Sequence, residues 1–306
     1  MNASLEFFDL QVNGYGGVDF NSDDLQLEGL HTACTEMRSA GVTRCLPTII
    51  TADIEQMAAR LARLVKFRDQ LPEFHSLLVG WHVEGPFINP APGYVGAHPA
   101  AAVRPASIEL AAQLLEAGGG LVRLVTLAPE GDPVLATTRW LTNQGVMVSA
   151  GHCNPSIELL KRAIDNGLGM FTHLGNGCPL ELPRHDNIIQ RVLSLREELW
   201  ICFIADGAHV PYTALSNYLA LIGPARAIVT SDSIAAAGKG PGEYTLGSRQ
   251  VVVDNQLATW SADRKNLVGS ATPLYQARQN LIRHVGLSPE VATRLVSHNP
   301  KQALGI

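Results

Sequence analysis

The chain has 306 residues, a formal charge of −5, 46% apolar and 17% charged residues, which suits one large globular domain. The mildly acidic balance gives no electrostatic reason for nucleic acid or an anionic membrane as partner. No apolar run approaches the roughly 20 residues of a membrane helix. The start, Met1-Asn-Ala-Ser-Leu-Glu6, lacks a basic segment and a signal-type apolar core. Cys34, Cys45, Cys153, Cys178 and Cys202 are odd in number and form no CxxC, so reduced thiols in a cytoplasmic protein are expected.

Strand-like and helical runs alternate along the chain. Residues 7–12 read as a strand, 27–40 as a helix stopped by Gly41, and 42–46 as the second strand. Residues 54–70 make an amphipathic helix with Pro72 beyond its end. A third strand is expected at 77–83, a helix at 107–117 closed by Gly118-Gly-Gly120, a fourth strand at 121–127 and a helix at 133–143. The fifth and sixth strands, 146–150 and 168–172, flank a helix at 156–166. The seventh spans 200–205, followed by a helix at 212–221, and the eighth spans 225–230. Residues 238–266 leave the alternation, and 244–246, 251–253 and 257–260 read as a small β excursion. Helices at 272–285 and 289–297 close the chain. Eight strands separated by helical segments is the count of an α/β (β/α)8 TIM barrel, expected as one domain over residues 1–306. A doubly wound open sheet is the alternative. Gly14-Tyr-Gly-Gly17 is not followed by a convincing helix, so it lacks the context of that fold's phosphate loop.

Chemistry gathers at the strand ends. His152 and His173 each follow a short apolar strand, and in a parallel α/β fold both imidazoles emerge at the carboxyl edge of the sheet. Glu84, in His82-Val-Glu-Gly-Pro86, is held at the same edge on the face of His82. One carboxylate and two imidazoles make a three-ligand metal set that leaves a position open for water. A single Glu in such a place is as readily a helix cap or surface ion pair, and a lone buried His is more often a satisfied core residue; three together favour metal. Asp232 follows the eighth strand and faces the same cavity, where it can move a proton. Its competing role is a helix cap, but residues 235–238 are too short a helix to need one. His209, in Asp206-Gly-Ala-His209, lies on a loop over this face, and Asp206 is either a turn residue or part of the site. His98 follows a Pro/Gly-rich loop at 89–93 of the kind that holds substrate. Gln11 and Asn13 share a face at the end of the first strand and read as polar groups lining the site, not as a second metal site. Cys153 and Cys178 have no ligand partner at zinc spacing.

These pieces resemble the amidohydrolase superfamily, and within it the N-acetylglucosamine-6-phosphate deacetylase family. The matching segments are Asp9 to Phe20, His82 to Pro90, Gly96-Ala-His-Pro99, Gly151-His152, Thr172 to Asn176, Ala205 to His209, Val229 to Gly238, Gly269-Ser270 and Asn299-Pro300. The resemblance implies a metal-dependent barrel enzyme hydrolysing the N-acetyl group of an amino-sugar phosphate, N-acetylglucosamine 6-phosphate first. It implies one divalent ion per chain on Glu84, His152 and His173, zinc first, with iron, manganese or cobalt as alternatives. It makes Asp232 the general base and then acid, and has His98 polarise the acetyl carbonyl or hold the sugar. Asn176 and Gly177 would offer amides to the sugar phosphate, His209 would contact substrate, and Arg184 stands in the position of a phosphate-binding arginine. Such enzymes resemble homodimers.

The chain departs from the family pattern at Asn176-Gly-Cys-Pro179, at His185-Asp186 after Arg184, at Ser231 and in the loop at 91–94. These changes fall around the phosphate and sugar sites, not the metal set. The small β-sandwich usual in the family is expected to be absent, because the chain begins at the first barrel strand and ends at the last helix. The alternatives are an amidohydrolase acting on another N-acyl amino sugar or a cyclic amide, and a sugar-phosphate-binding barrel without turnover. A binding barrel has no need of a proton shuttle such as Asp232.

Overall fold

The computed structural model describes residues 6–264 and 266–306. The expectation of a leaderless start falls mainly on residues 1–5, outside the described ones. The chain opens with β1 (Phe7–Val12), a short hairpin of β2 (Gly14–Tyr15) and β3 (Val18–Asp19), α1 (Leu27–Ser39), β4 (Val42–Ile50) and α2 (Ile54–Gln70). Next come β5 (Trp81–Glu84), α3 (Ile108–Ala117), β6 (Val122–Leu127), α4 (Ala136–Asn143), β7 (Met147–Ala150), α5 (Ile157–Asp165) and β8 (Leu168–Phe171). Then follow α6 (Ile188–Ser194), β9 (Trp200–Ile204), α7 (Tyr212–Ile222) and β10 (Ala227–Thr230). The small strands β11 (Gly242–Leu246), β12 (Arg249–Val253) and β13 (Thr259–Ser261) precede α8 (Leu274–Arg283). The last turns are α9 (Pro289–Thr293), a π turn at Arg294–His298 and α10 (Asn299–Leu304).

Eight strands pair in parallel in the order β1-β4-β5-β6-β7-β8-β9-β10. The seam between β10 and β1 is closed by side chains and by the turns beyond. Asp9 Oδ1 accepts from Thr230 Oγ1 (2.6 Å) and from Ser231 N (3.0 Å), and Asn13 N donates to Ser233 O (2.7 Å). The result is the (β/α)8 barrel expected from the strand count.

Strand periodicity sorts the barrel into layers, because alternate side chains point inward. Phe8, Leu10, Leu46, Leu124, Met170, Trp200, Cys202 and Ile228 form an apolar plug. Each such side chain contributes roughly 1.5–3 kcal/mol when fully buried. At the next inward level stand Thr48, Thr126, Ser149 and Thr172, all buried. Buried hydroxyls need partners, and here they pair with one another. Thr172 Oγ1 lies 2.8 Å from Thr126 Oγ1 and 2.7 Å from Ser149 Oγ, and His82 Nε2 lies 2.8 Å from Thr126 Oγ1. Burial pushes the His82 imidazole down to about 4, so it stays neutral in this layer. The outward residues of the same strands, such as Ile49, Val83, Val125, Val148 and Phe203, pack against the helices.

Several elements differ from the sequence expectation. The third strand is Trp81–Glu84, because residues 74–78 fold into a turn closed by Leu77 N and Leu78 N on Phe74 O (3.0 and 2.8 Å). The helix expected from 133 begins at Ala136, after Val134 and Leu135 take φ of 48° and 56°. Asp132 caps it from outside, accepting from Thr137 N and Thr138 N at 3.0 and 2.7 Å. Helix α6 was not expected. It has seven residues, too few for a clear period, and is capped by Asn187, whose Oδ1 accepts from Gln190 N (3.1 Å). The β excursion is a real antiparallel sheet, β11-β12-β13. Its Leu246, Val251 and Val253 pack with Ile50 and Ile234, which seats it over the carboxyl rim of the barrel. Among the described residues no helix is long and apolar enough to cross a membrane.

Candidate active site

The site is built from the ends of strands. Glu84 is the last residue of β5, and His152, His173 and Asp232 each stand two residues beyond the end of β7, β8 and β10. His152, His173 and Asp232 all have positive φ, 51°, 32° and 49°. Non-glycine residues seldom adopt that region, and such strain collects where a surrounding framework holds side chains for function. All three residues line the cavity at the barrel mouth.

Four side chains meet there. Glu84 Oε1 lies 2.9 Å from His173 Nε2 and 3.5 Å from His152 Nε2, and Glu84 Oε2 lies 3.8 Å from His98 Nε2. The rings of His98 and His173 stand edge-on to that of His152, with centroids 4.5 and 4.9 Å away. All four residues are buried. The potential ligand atoms of Glu84, His98 and His152 lie within 4.8 Å of one another.

The outer hydrogen bonds decide which ring atoms carry lone pairs. His152 Nδ1 lies 2.7 Å from Tyr94 O, and a carbonyl only accepts, so Nδ1 bears the proton and Nε2 the lone pair. Thr51 Oγ1 donates to Glu84 O (3.3 Å) and accepts from His98 Nδ1 (2.8 Å), which leaves the His98 Nε2 lone pair facing inward as well. Burial, then the adjacent His152, push the His98 imidazole down to about 3, so it is neutral. His173 Nδ1 is buried without a partner among the described residues. Imidazole lone pairs aimed at a carboxylate repel it unless a cation lies between them, so the donor set fits a divalent metal. Burial alone would raise the Glu84 carboxyl, but the imidazoles of His152 and His173 against it outweigh burial and hold it well below the usual range.

Gln11 and Asn13 act as donors to the two acids. Gln11 Nε2 donates to Glu84 Oε1 (3.1 Å) and Asn13 Nδ2 to Asp232 Oδ1 (2.7 Å). Burial, reinforced by the charge of Glu84, pushes the Asp232 carboxyl up to about 7. His209 Nδ1 lies 2.6 Å from Asp206 Oδ2, both side chains buried.

A cavity of about 540 Å3 opens over these groups. Glu84, His98, His152, His173, Asn176, Gly177, His209, Asp232 and Asn13 all line it, so the structure brings these sequence candidates together. Arg184 is exposed, and no lysine or arginine is among the described lining residues. Sequence reasoning missed Tyr94 and Thr51, which bond the histidines from outside, and Trp260, Leu246 and Leu267, which the small sheet brings to the cavity wall. Tyr94 and Thr51 carry no local motif. The β excursion was visible, but not the place where it docks.

No protein-family model matches the chain. It is 33% identical over 308 residues to N-acetylglucosamine-6-phosphate deacetylase of Homo sapiens, covering 98% of this chain and 74% of that protein. The protein of the same name from Haemophilus influenzae is 29% identical, covering 100% and 77%. N-acetylgalactosamine-6-phosphate deacetylase of Escherichia coli is likewise 29% identical, covering 98% and 77%. The solved N-acetyl-D-glucosamine-6-phosphate deacetylase of Mycobacterium smegmatis, in complex with N-acetyl-D-glucosamine-6-phosphate, superposes with a TM-score of 0.87 at 28% identity, covering 98% of this chain and 77% of that one. The Thermotoga maritima enzyme gives 0.85 at 26%, covering 98% and 78%. With the strand-end site in place and relatives above 30% identity across nearly all of its length, the chain belongs to the N-acetylglucosamine-6-phosphate deacetylase family.

Proposed function

We propose that this protein hydrolyses the N-acetyl group of N-acetylglucosamine 6-phosphate, giving glucosamine 6-phosphate and acetate. The observation that carries the reading is the convergence of Glu84, His152, His173 and Asp232 at one cavity, in a chain 33% identical to a deacetylase of that name. Glu84, His152 and His173 would hold one divalent ion, zinc first, with iron, manganese or cobalt as alternatives that suit the same donors. When bound, the ion supplies Lewis acidity and lowers the pKa of water.

The chain's own residues do the rest. Asp232 takes a proton from the attacking water and returns it to the leaving amine. A carboxyl held near neutrality suits both halves of that exchange. Asn13 orients it through one oxygen. Of the two roles open to His98, the hydrogen bonds favour holding the sugar over polarising the acetyl carbonyl. Its Nδ1 is committed to Thr51, so Nε2 accepts, and a sugar hydroxyl can donate to it. His209 faces the substrate, and Asn176 and Gly177 present backbone amides to the phosphate. Arg184 is the phosphate-binding arginine of this reading, acting in its own or a neighbouring subunit. The cavity wall supplies no other arginine or lysine among the described residues.

The test is acetate release from N-acetylglucosamine 6-phosphate, N-acetylgalactosamine 6-phosphate and the two unphosphorylated sugars, with zinc, iron, manganese or cobalt added. Highest kcat/KM on the first is expected. Preference for the galacto sugar moves the substrate within the chemistry, and no release from any of them rejects the reading.

A further inference from the structure

The turn Asp206-Gly-Ala-His209 is a closed clasp. Asp206 Oδ1 accepts from Ala208 N and His209 N, both at 2.9 Å, and Oδ2 binds His209 Nδ1 at 2.6 Å. The side chains of Asp206 and His209 are 3% and 5% exposed, so these contacts are not exchanged for water. Gly207 has φ of 81°, and a Cβ there would come within 2.6 Å of the Tyr212 ring, so no larger residue fits. The start of the clasp is fixed to its surroundings by two hydrogen bonds. Tyr212 Oη donates to Asp206 O (3.0 Å), and Asn280 Nδ2 of α8 donates to Ala205 O (2.9 Å). The Tyr212 ring stacks on His284, with centroids 4.6 Å apart.

All of this framework serves one atom. With Nδ1 committed to the carboxylate, Nε2 is the ring nitrogen that His209 has left for the cavity it lines. The structure assigns Asp206 as the positioning residue of the site: it sets the tautomer of His209, fixes its ring and presents Nε2 to the substrate. The inference rests on the deacetylase reading for the substrate but not for the geometry. The charged groups that face His209 are Asp206 on its own turn and Asp232 beyond β10. Burial disfavours the imidazolium, but the charge of Asp206 and the hydrogen bond to it outweigh burial and raise the imidazole above its ordinary value.

Two measurements test this. The first is a double-mutant cycle of wild type, Asp206→Asn, His209→Gln and the double variant, followed by kcat and KM on N-acetylglucosamine 6-phosphate. Asp206→Asn keeps one acceptor oxygen for the turn and loses the charge. It is expected to lower kcat/KM about tenfold, mainly through KM, with the double variant no worse than His209→Gln alone. Losses that multiply in the double variant would mean that Asp206 acts independently of His209, and would overturn the assignment. The second is a nitrogen-15 NMR titration of the His209 ring in the wild type, which needs neither a variant nor turnover. Protonated Nδ1 in the neutral form and a pKa above the usual 6.5 are expected. A neutral ring protonated on Nε2 would overturn it. If the wild type releases no acetate, the deacetylase reading fails while the titration still decides the clasp.

Discussion

Three of the residues singled out for chemistry hold strained backbone at the strand ends. His152, His173 and Asp232 hold positive φ, because a strand end has to turn sharply to bring its next side chain over the mouth. Gly177 completes this arrangement. Its φ is 60°, and a Cβ there would stand 2.9 Å from His152 Nδ1, the atom bonded to Tyr94 O. Gly177→Ala is therefore expected to displace the His152 ring and lower kcat/KM at least about tenfold, a barrier change of roughly 1.4 kcal/mol. A normal kcat/KM in that variant would show that the loop yields without cost. For Asp232→Asn, metal analysis should find the ion retained while turnover falls by about two to four orders of magnitude, the range of a positioned proton shuttle. Near-normal turnover would return Asp232 to a purely structural role.

Among the elements, the small sheet is tied to the barrel by one buried acid. Asp19, at the end of β3, accepts from Asn21 N (2.8 Å) and, across the molecule, from Gly247 N in the β11-β12 turn (2.6 Å). Burial pushes its carboxyl up to about 6, although both hydrogen bonds pull the other way. A carboxyl whose pKa is higher folded than unfolded holds its proton more tightly in the fold. Its contribution to stability is therefore present below about pH 4 and is lost as pH rises to about 6. In urea melts, wild type should lose stability relative to Asp19→Asn between these two values. A difference between the two proteins that does not change with pH would show Asp19 ionised throughout. The local pattern of elements was legible because period-2 and period-3.6 runs were long enough to count. Helix α6 was not, since seven residues give less than two full turns and its cap, Asn187, looks like any loop asparagine.

For the molecule as a whole, the site is a single cluster of donors and one cavity. About one tightly held divalent ion per chain is expected in purified protein, lost in His152→Ala or His173→Ala. Two tightly held ions would mean that Gln11 and Asn13 serve as ligands and not as donors to Glu84 and Asp232. Phosphate recognition is the weaker part of the surface, since Arg184 is exposed and outside the described cavity wall. Arg184→Ala should weaken use of the 6-phosphorylated sugar by about 1.5–3 kcal/mol, the size of a charged hydrogen bond. Activity on the unphosphorylated sugar should hardly change. Equal losses on both substrates would make Arg184 structural.

The sequence by itself determined the barrel and the strand ends at which its candidate site residues stand. Each inward position follows from strand period, and each of Glu84, His152, His173 and Asp232 lies at or just after a strand whose carboxyl end can face only one way in a parallel barrel. Only the tertiary structure decided what those residues touch. Thr51 lies 47 residues from His98, Tyr94 58 residues from His152 and Asn13 219 residues from Asp232, and no local pattern encodes a contact across such distances. The tautomers of the histidines, the raised carboxyl of Asp232 and the docking of the small sheet against Ile50 all follow from desolvation and partner choice. Those two quantities do not exist until the barrel has closed.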